Sequence, residues 1–222
     1  MCSPPDCAIG GSAACACPER ENVCVLIEHE GKRPVIADSA YVAPTAVLSG
    51  DVTIGPDCRV LFGAVLTAEG GPIEVGERCI VMENAVLRGR EGHPLRLGDH
   101  VLVGPHAHLN GAVVESDVFL ATGVSIFPGA HVGAGSEVRI NAVVQVNSRV
   151  AENTTVPIGW IAVGDPAQLF PPGAHDELWP IQRAMDFPRT VFGIDRSELS
   201  METLTRHYAE HFGRHRTDRI LG

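Results

Sequence analysis

Along the middle of the chain an aliphatic residue returns at nearly every sixth position. The series runs Val42, Leu48, Ile54, Val60, Leu66; then Val75, Val81, Leu87; then Leu97, Val103, Leu109; then Val114, Leu120, Ile126, Val132, Val138 and Val144. Two places before most beats stands a small or β-branched residue, such as Val52, Cys58, Ala64, Ala85, Val101, Ala107, Val118, Val124 and Ala130. This period matches neither a helix face nor a simple alternating strand. It fits a solenoid with triangular coils, each coil built from three hexapeptides. In such a coil the beat residue and its small companion point inward and stack on their counterparts one coil away. One coil cannot bury its own apolar face, so stability comes from neighbours. The corners need a left-handed backbone, which Gly, Asn and Asp tolerate. Asp51 or Asp57, Asn84, Gly123, Gly129 and Gly135 stand where corners are expected.

The pattern divides the chain into four parts. Residues 1–23, rich in Cys, Pro, Gly, Ala and Ser, read as an extension without order of its own. Residues 24–40 read as a lead-in strand or hairpin turning at Gly31-Lys32. Residues 41–168 form the solenoid, and 169–222 a helical tail. One tail helix is expected from about Ala174 to Ala184. A second starts at Ser200, a good N-cap with Glu202 in its first turn, and runs to about Phe212. Its apolar residues Met201, Leu204, Tyr208 and Phe212 keep to one side, a face for docking. His207, His211 and His215 read as another face of the same tail helix.

Composition narrows the chemistry. A net charge of −10 argues against nucleic acid and anionic membranes as partners. No segment is apolar enough to span a bilayer, and the start lacks the basic-then-apolar form of a signal peptide, so a cytoplasmic location is expected. Of the seven cysteines, Cys2, Cys7, Cys15, Cys17 and Cys24 lie near the start in no standard zinc spacing. Cys58 and Cys79 fall at inward positions, where a small soft hydrophobe packs well.

Three segments interrupt the beat, and breaks in a regular scaffold are where function collects. The first is Thr67 to Pro72, with Glu69. The second is Arg88 to Pro94, with Arg88, Arg90, Glu91 and His93. The third is the shortened step Leu109-Asn110-Gly111-Ala112-Val113, preceded by Pro105-His106-Ala107-His108.

Val42-Ala43-Pro44, Gly50-Asp51-Val52-Thr53-Ile54-Gly55, Gly63-Ala64-Val65-Leu66, Gly71-Pro72-Ile73 and the run from Val103-Gly104 through Leu109 to Gly111 resemble a γ-class carbonic anhydrase. The short step after Leu109 and the exit Val163-Gly164-Asp165-Pro166-Ala167 are similar to that family too. The resemblance covers roughly Pro34 to Gln168. It implies a mainly β protein, a left-handed parallel β-helix of hexapeptide repeats, assembled as a homotrimer. It also implies zinc or iron on three His residues between subunits, generating hydroxide for attack on carbon dioxide. The matching positions hold Arg88, after Leu87; Pro105, after Gly104; and Asn110, after Leu109. None is His. A guanidinium repels a cation, Pro offers no side-chain donor and Asn is a weak zinc ligand. The family's Arg-x-Asp motif reads Thr67-Ala68-Glu69 here, and its Gln near the metal reads Met82.

The residues around these positions remain chemically dense. His108 and Asn110 flank an inward residue and share the outward face. Arg88 is expected one coil below Asn110, and His106 at a corner that a neighbouring subunit can present to the same cleft. Glu69 and Glu83 border it. The expected site is therefore His106, His108, Arg88, Asn110, Glu83 and Glu69. Two chemistries follow. Without a metal, Arg88 grips a small carboxylate or other small anion and a His or Glu moves a proton, as in a lyase, hydrolase or isomerase. With a divalent metal, zinc or iron, on a shifted set of His106, His108 and His93 or Glu83, the site is a hydratase. The same solenoid also serves CoA-dependent acyltransferases, with His106, His108 or His131 as base. A scaffold without catalysis is the fourth reading.

Overall fold

A computed structural model describes residues 24–221. The expectation for residues 1–23 lies outside the described residues. From Val25 to Val163 short strands succeed one another around a left-handed β-helix of about eight turns, its three faces being parallel sheets. The beat is the register. On the widest face Leu48, Leu66, Leu87, Leu109, Ile126, Val144 and Ala162 pair coil to coil, each inward and fully buried. The second face stacks Ile54, Val75, Leu97, Val114, Val132 and Val150, and the third Val42 through Val81 and Leu120 to Val156. Asp57, Asn84, Gly123, Gly129 and Gly135 all adopt the left-handed backbone at corners, whereas Asp51 does not.

The stretch 24–40 turns back at Glu30-Gly31, where His29 and Lys32 bridge, and also supplies the first coil. Strand Val25–Glu28 pairs in parallel with Val47–Ser49. At the other end Gln168–Phe170 folds back antiparallel on Ile161–Val163.

The tail holds three helices: α1 (His175–Ala184), α2 (Phe187–Phe192) and α3 (Met201–Phe212). Ser200 caps α3 as expected, its hydroxyl accepting from the Thr203 amide. Beyond α3 a tight 3-10 turn (Gly213–Thr217) leads to strand Arg219–Ile220, which pairs antiparallel with Val25–Glu28. The chain end thus returns to the first coil.

A run of aromatic contacts lays this tail across the widest sheet. Phe127 of the coil meets Phe187, Phe187 meets Phe192, Phe192 meets Tyr208, and Tyr208 stacks on Phe212, all with ring centroids within 5.9 Å. Of the apolar face expected on α3, Tyr208 and Phe212 join this run, while Met201 stays 70% exposed. Among the described residues no helix is long and apolar enough to cross a membrane.

Candidate functional site

Two strands of the widest sheet, Val65–Glu69 and Val86–Arg90, run for five residues where most of their neighbours have two or three. Their extra length comes from the first two interruptions of the beat, which stack one on the other. Gly89 permits this: a Cβ there would meet the Gly71 carbonyl oxygen at 2.2 Å. The register sets Glu69 opposite Arg90, Thr67 opposite Arg88, and Arg88 opposite Asn110. Alternation turns all of these away from the core.

Glu69 is the hub. It is 7% exposed, and one oxygen lies 3.6 Å from an Arg88 guanidinium nitrogen. His215 Nε2 stands 3.3 Å from both of its oxygens, and His211 Nε2 stands 3.4 Å from Oε2. His29, also buried, stacks on His215 at 4.4 Å between ring centroids. Asp218 bridges the two rings, 2.6 Å from His29 Nδ1 and 2.7 Å from His215 Nδ1. His29, His211, His215 and Asp218 were absent from the expected site. Their only sequence signal was the four-residue spacing of His207, His211 and His215.

Arg88 is held on two sides. Its guanidinium faces Glu69, and its charge lies over the Phe212 ring, 5.5 Å from the centroid. Among the described residues, two neighbouring polar atoms are buried without hydrogen-bond partners: Arg88 Nε and Asn110 Oδ1. Asn110 is 6% exposed. His108, two residues before Asn110 on the same face, packs edge-on to Phe127. Burial, with the positive charge of Arg88 second, pushes its pKa below the ordinary histidine value. His93 is lowered in the same way by burial and then by Arg90.

The structure brings together Glu69, Arg88 and Asn110, with His108 beside them. His93 lines a cavity of about 400 Å³ that it shares with Glu69, Arg90, Arg189, His207 and His211. His106 and Glu83 lie elsewhere. His106 sits at an exposed corner with a left-handed backbone, its amide donating to the Glu83 carbonyl one coil below. His131 is engaged at both nitrogens, with Glu115 at 2.6 Å and the Arg149 guanidinium donating to Nδ1 at 2.7 Å. Among the described residues, one group of at least three potential ligands converges within a single chain: His29, Glu69 and His215. None of His93, His106 and His108 belongs to it.

A metal at the position implied by the γ-class resemblance does not fit these residues. Arg88 brings a permanent positive charge there and Pro105 brings no donor. Asn110 supplies one amide oxygen, which alone cannot hold the ion.

A run of apolar side chains, Phe119, Ile140 and Ile158 among them, stays exposed along one corner and its adjoining face. With Pro105, Leu102 and Ala121 they line an apolar groove of about 410 Å³.

Comparison with known proteins agrees with this architecture. No family model matches the chain. It is 34% identical over 159 residues to a carbonic anhydrase of Geobacillus kaustophilus, covering 72% of this chain and 84% of that protein. It is 29% identical over 153 residues to the mitochondrial γ carbonic anhydrase 1 of Arabidopsis thaliana, covering 66% of this chain but spanning 54% of the plant protein's length. The solved structure of a Bacillus cereus protein described as an acetyltransferase superposes with a TM-score of 0.53 at 23% identity, covering 87% of this chain and 93% of that one, a likeness of fold. By coil register, loop order and sequence identity, the chain belongs to the γ-class carbonic anhydrase family.

Proposed function

We propose that the chain is an enzyme of this family whose altered site takes a small hydroxylated carboxylate and moves a proton on it, in place of metal-dependent hydration. The observation that carries this reading is the adjacent pair of unpartnered atoms, Arg88 Nε and Asn110 Oδ1. One is a donor and the other an acceptor. Leaving either unpaired in a buried site costs about 1–3 kcal/mol. A ligand carrying both an anionic oxygen and a hydroxyl satisfies both. The anion accepts from the guanidinium, and the hydroxyl donates to the amide oxygen. Glu69 and the Phe212 ring hold the guanidinium in place.

His108 is the base. Its lowered pKa keeps it neutral at neutral pH, so it has a lone pair to accept a proton and can return it. We further propose a homotrimer in which the exposed apolar groove is buried between subunits. A neighbouring corner then brings His106 and Glu83 to the cleft. Support comes from the exposed row of Phe119, Ile140 and Ile158.

The test is deuterium incorporation from solvent at C2 of lactate, malate and tartrate, followed by proton NMR. Incorporation that disappears in His108→Asn supports proton transfer. No incorporation with any of the three acids would leave a binding or scaffold role and overturn the catalytic reading.

A further inference from the structure

The histidines around Glu69 carry chemistry that the anion site does not use. His215 Nε2 and His211 Nε2 stand 3.3 and 3.4 Å from the Glu69 carboxylate. A charge-assisted hydrogen bond would draw such atoms to about 2.7–2.9 Å. Two ligands on one tetrahedral ion, each bonded at about 2.0–2.1 Å, stand about 3.3 Å apart. The observed spacing leaves room for an ion between them.

The orientation of the rings agrees. Asp218 takes the Nδ1 atoms of both His29 and His215, leaving their Nε2 atoms as the ligating positions. A carboxylate behind a histidine is the usual means of fixing a ligand's tautomer and direction. One donor atom from each of His29, Glu69 and His215 lies within 4.8 Å of the others. His211 and His215 are four residues apart, and the helical backbone continues through Gly213 between them, so both project on one side. Arg88 faces the same carboxylate, and Arg214 pairs with Glu30 nearby. Asp218 and Glu30 supply the balancing negative charge.

We propose that His29, Glu69 and His215 form a binding site for a divalent transition-metal ion, zinc by its donor set, that clasps the tail to the first coil. The ligands come from the first-coil turn, the stacked loop and the returning tail, so one ion ties together parts far apart in sequence. Three protein donors converge, and His211 reaches the Glu69 carboxylate from beside them. It uses none of the positions 88, 105 and 110 that the family resemblance implies, although Glu69 also faces Arg88. It does not rest on the anion reading, and each can fail without the other.

The experiment is zinc titration of the chelator-stripped full-length chain carrying serine at Cys2, Cys7, Cys15 and Cys17, which removes most of the thiols near the start. One zinc per chain is expected, with a rise in Tm. His29→Ala and His215→Ala should each weaken it at least about 100-fold, and Asp218→Asn about 10–100-fold. X-ray absorption at the zinc edge of the unsubstituted chain should show imidazole nitrogen and no sulfur scattering, a readout that survives even if the variants misfold. Absent stoichiometric binding, sulfur-dominated ligation, or unchanged affinity in a folded His29→Ala/His215→Ala variant would overturn the proposal. The Glu69 contacts would then be an ion-pair network held by protons.

Discussion

Arg88 and Asn110 are direct partners on adjacent coils, and each presents one buried polar atom with no partner among the described residues, Nε on the first and Oδ1 on the second. The γ-class resemblance implies metal ligands at these two positions and at 105. A donor and an acceptor side by side select a ligand that offers the converse pair. Asn110→Leu is therefore expected to erase the preference for glycolate over acetate while leaving acetate affinity within about twofold. Competition calorimetry of the two acids checks this. A preference that survives the substitution removes Asn110 from recognition.

His108 gives a signed pH prediction. Burial first, and Arg88 second, hold its folded pKa below the unfolded value of about 6.5. The unfolded chain therefore binds more protons as pH falls below that value. The stability His108 contributes is present above about pH 6.5 and is lost as pH falls. In NMR titrations the His108 ring should titrate below 6.5 in the parent chain, and nearer 6.5 in Arg88→Ala. An unchanged titration would separate the two residues electrostatically.

His215 behaves in the opposite sense. Burial lowers its pKa, but the Asp218 and Glu69 carboxylates outweigh it and the net shift is upward. In the absence of metal its contribution is full below about pH 6.5 and is lost as pH rises through the folded value. Metal-free protein should therefore show a tail that loosens toward alkaline pH. Hydrogen exchange at the amides of residues 213–220 is the measure, and Asp218→Asn should reduce the pH dependence, Glu69 remaining beside His215.

Gly89→Ala tests the stacking of the two loops. The added Cβ would fall 2.2 Å from the Gly71 carbonyl oxygen, a backbone atom that cannot swing aside. The expected result is a fall in Tm together with loss of the Glu69 contacts to Arg88 and the tail. By contrast Leu109→Ala, at a fully buried position in the stacked core, should cost about 2–5 kcal/mol in denaturant unfolding without selectively affecting the site.

Ile140→Glu and Ile158→Glu place charges on residues that are 44% and 65% exposed along the apolar corner. Light scattering should show a trimer for the parent chain and monomers for the double variant. A monomeric parent, or an unaltered trimer in the variant, contradicts the proposed assembly.

Much of the coil was legible because its signal is local and repeated. The beat fixes which side chain points inward, and inward positions pair in register from Leu48 to Ala162. The outward pair of Arg88 and Asn110 followed from the same count. The tail was only half legible. Ser200 and the apolar face after it announced α3, but α2 has six residues and no side-chain cap, too short to show a period. The return of Arg219–Ile220 to the first coil left no signal either, because a two-residue strand has no periodicity and its partner lies at the other end of the chain. Hence His211 and His215 read as a tail-helix face, and their meeting with Glu69 and His29 could not be inferred from spacing.

The most direct measurement is isothermal calorimetry of glycolate binding to the parent chain and to Arg88→Ala. One site per chain is expected, with a loss of about 10–100-fold on removing the guanidinium, the span expected for a hydrogen bond to a charged group. Absence of glycolate binding to the parent, or equal affinity in the two proteins, would contradict an anion site at Arg88.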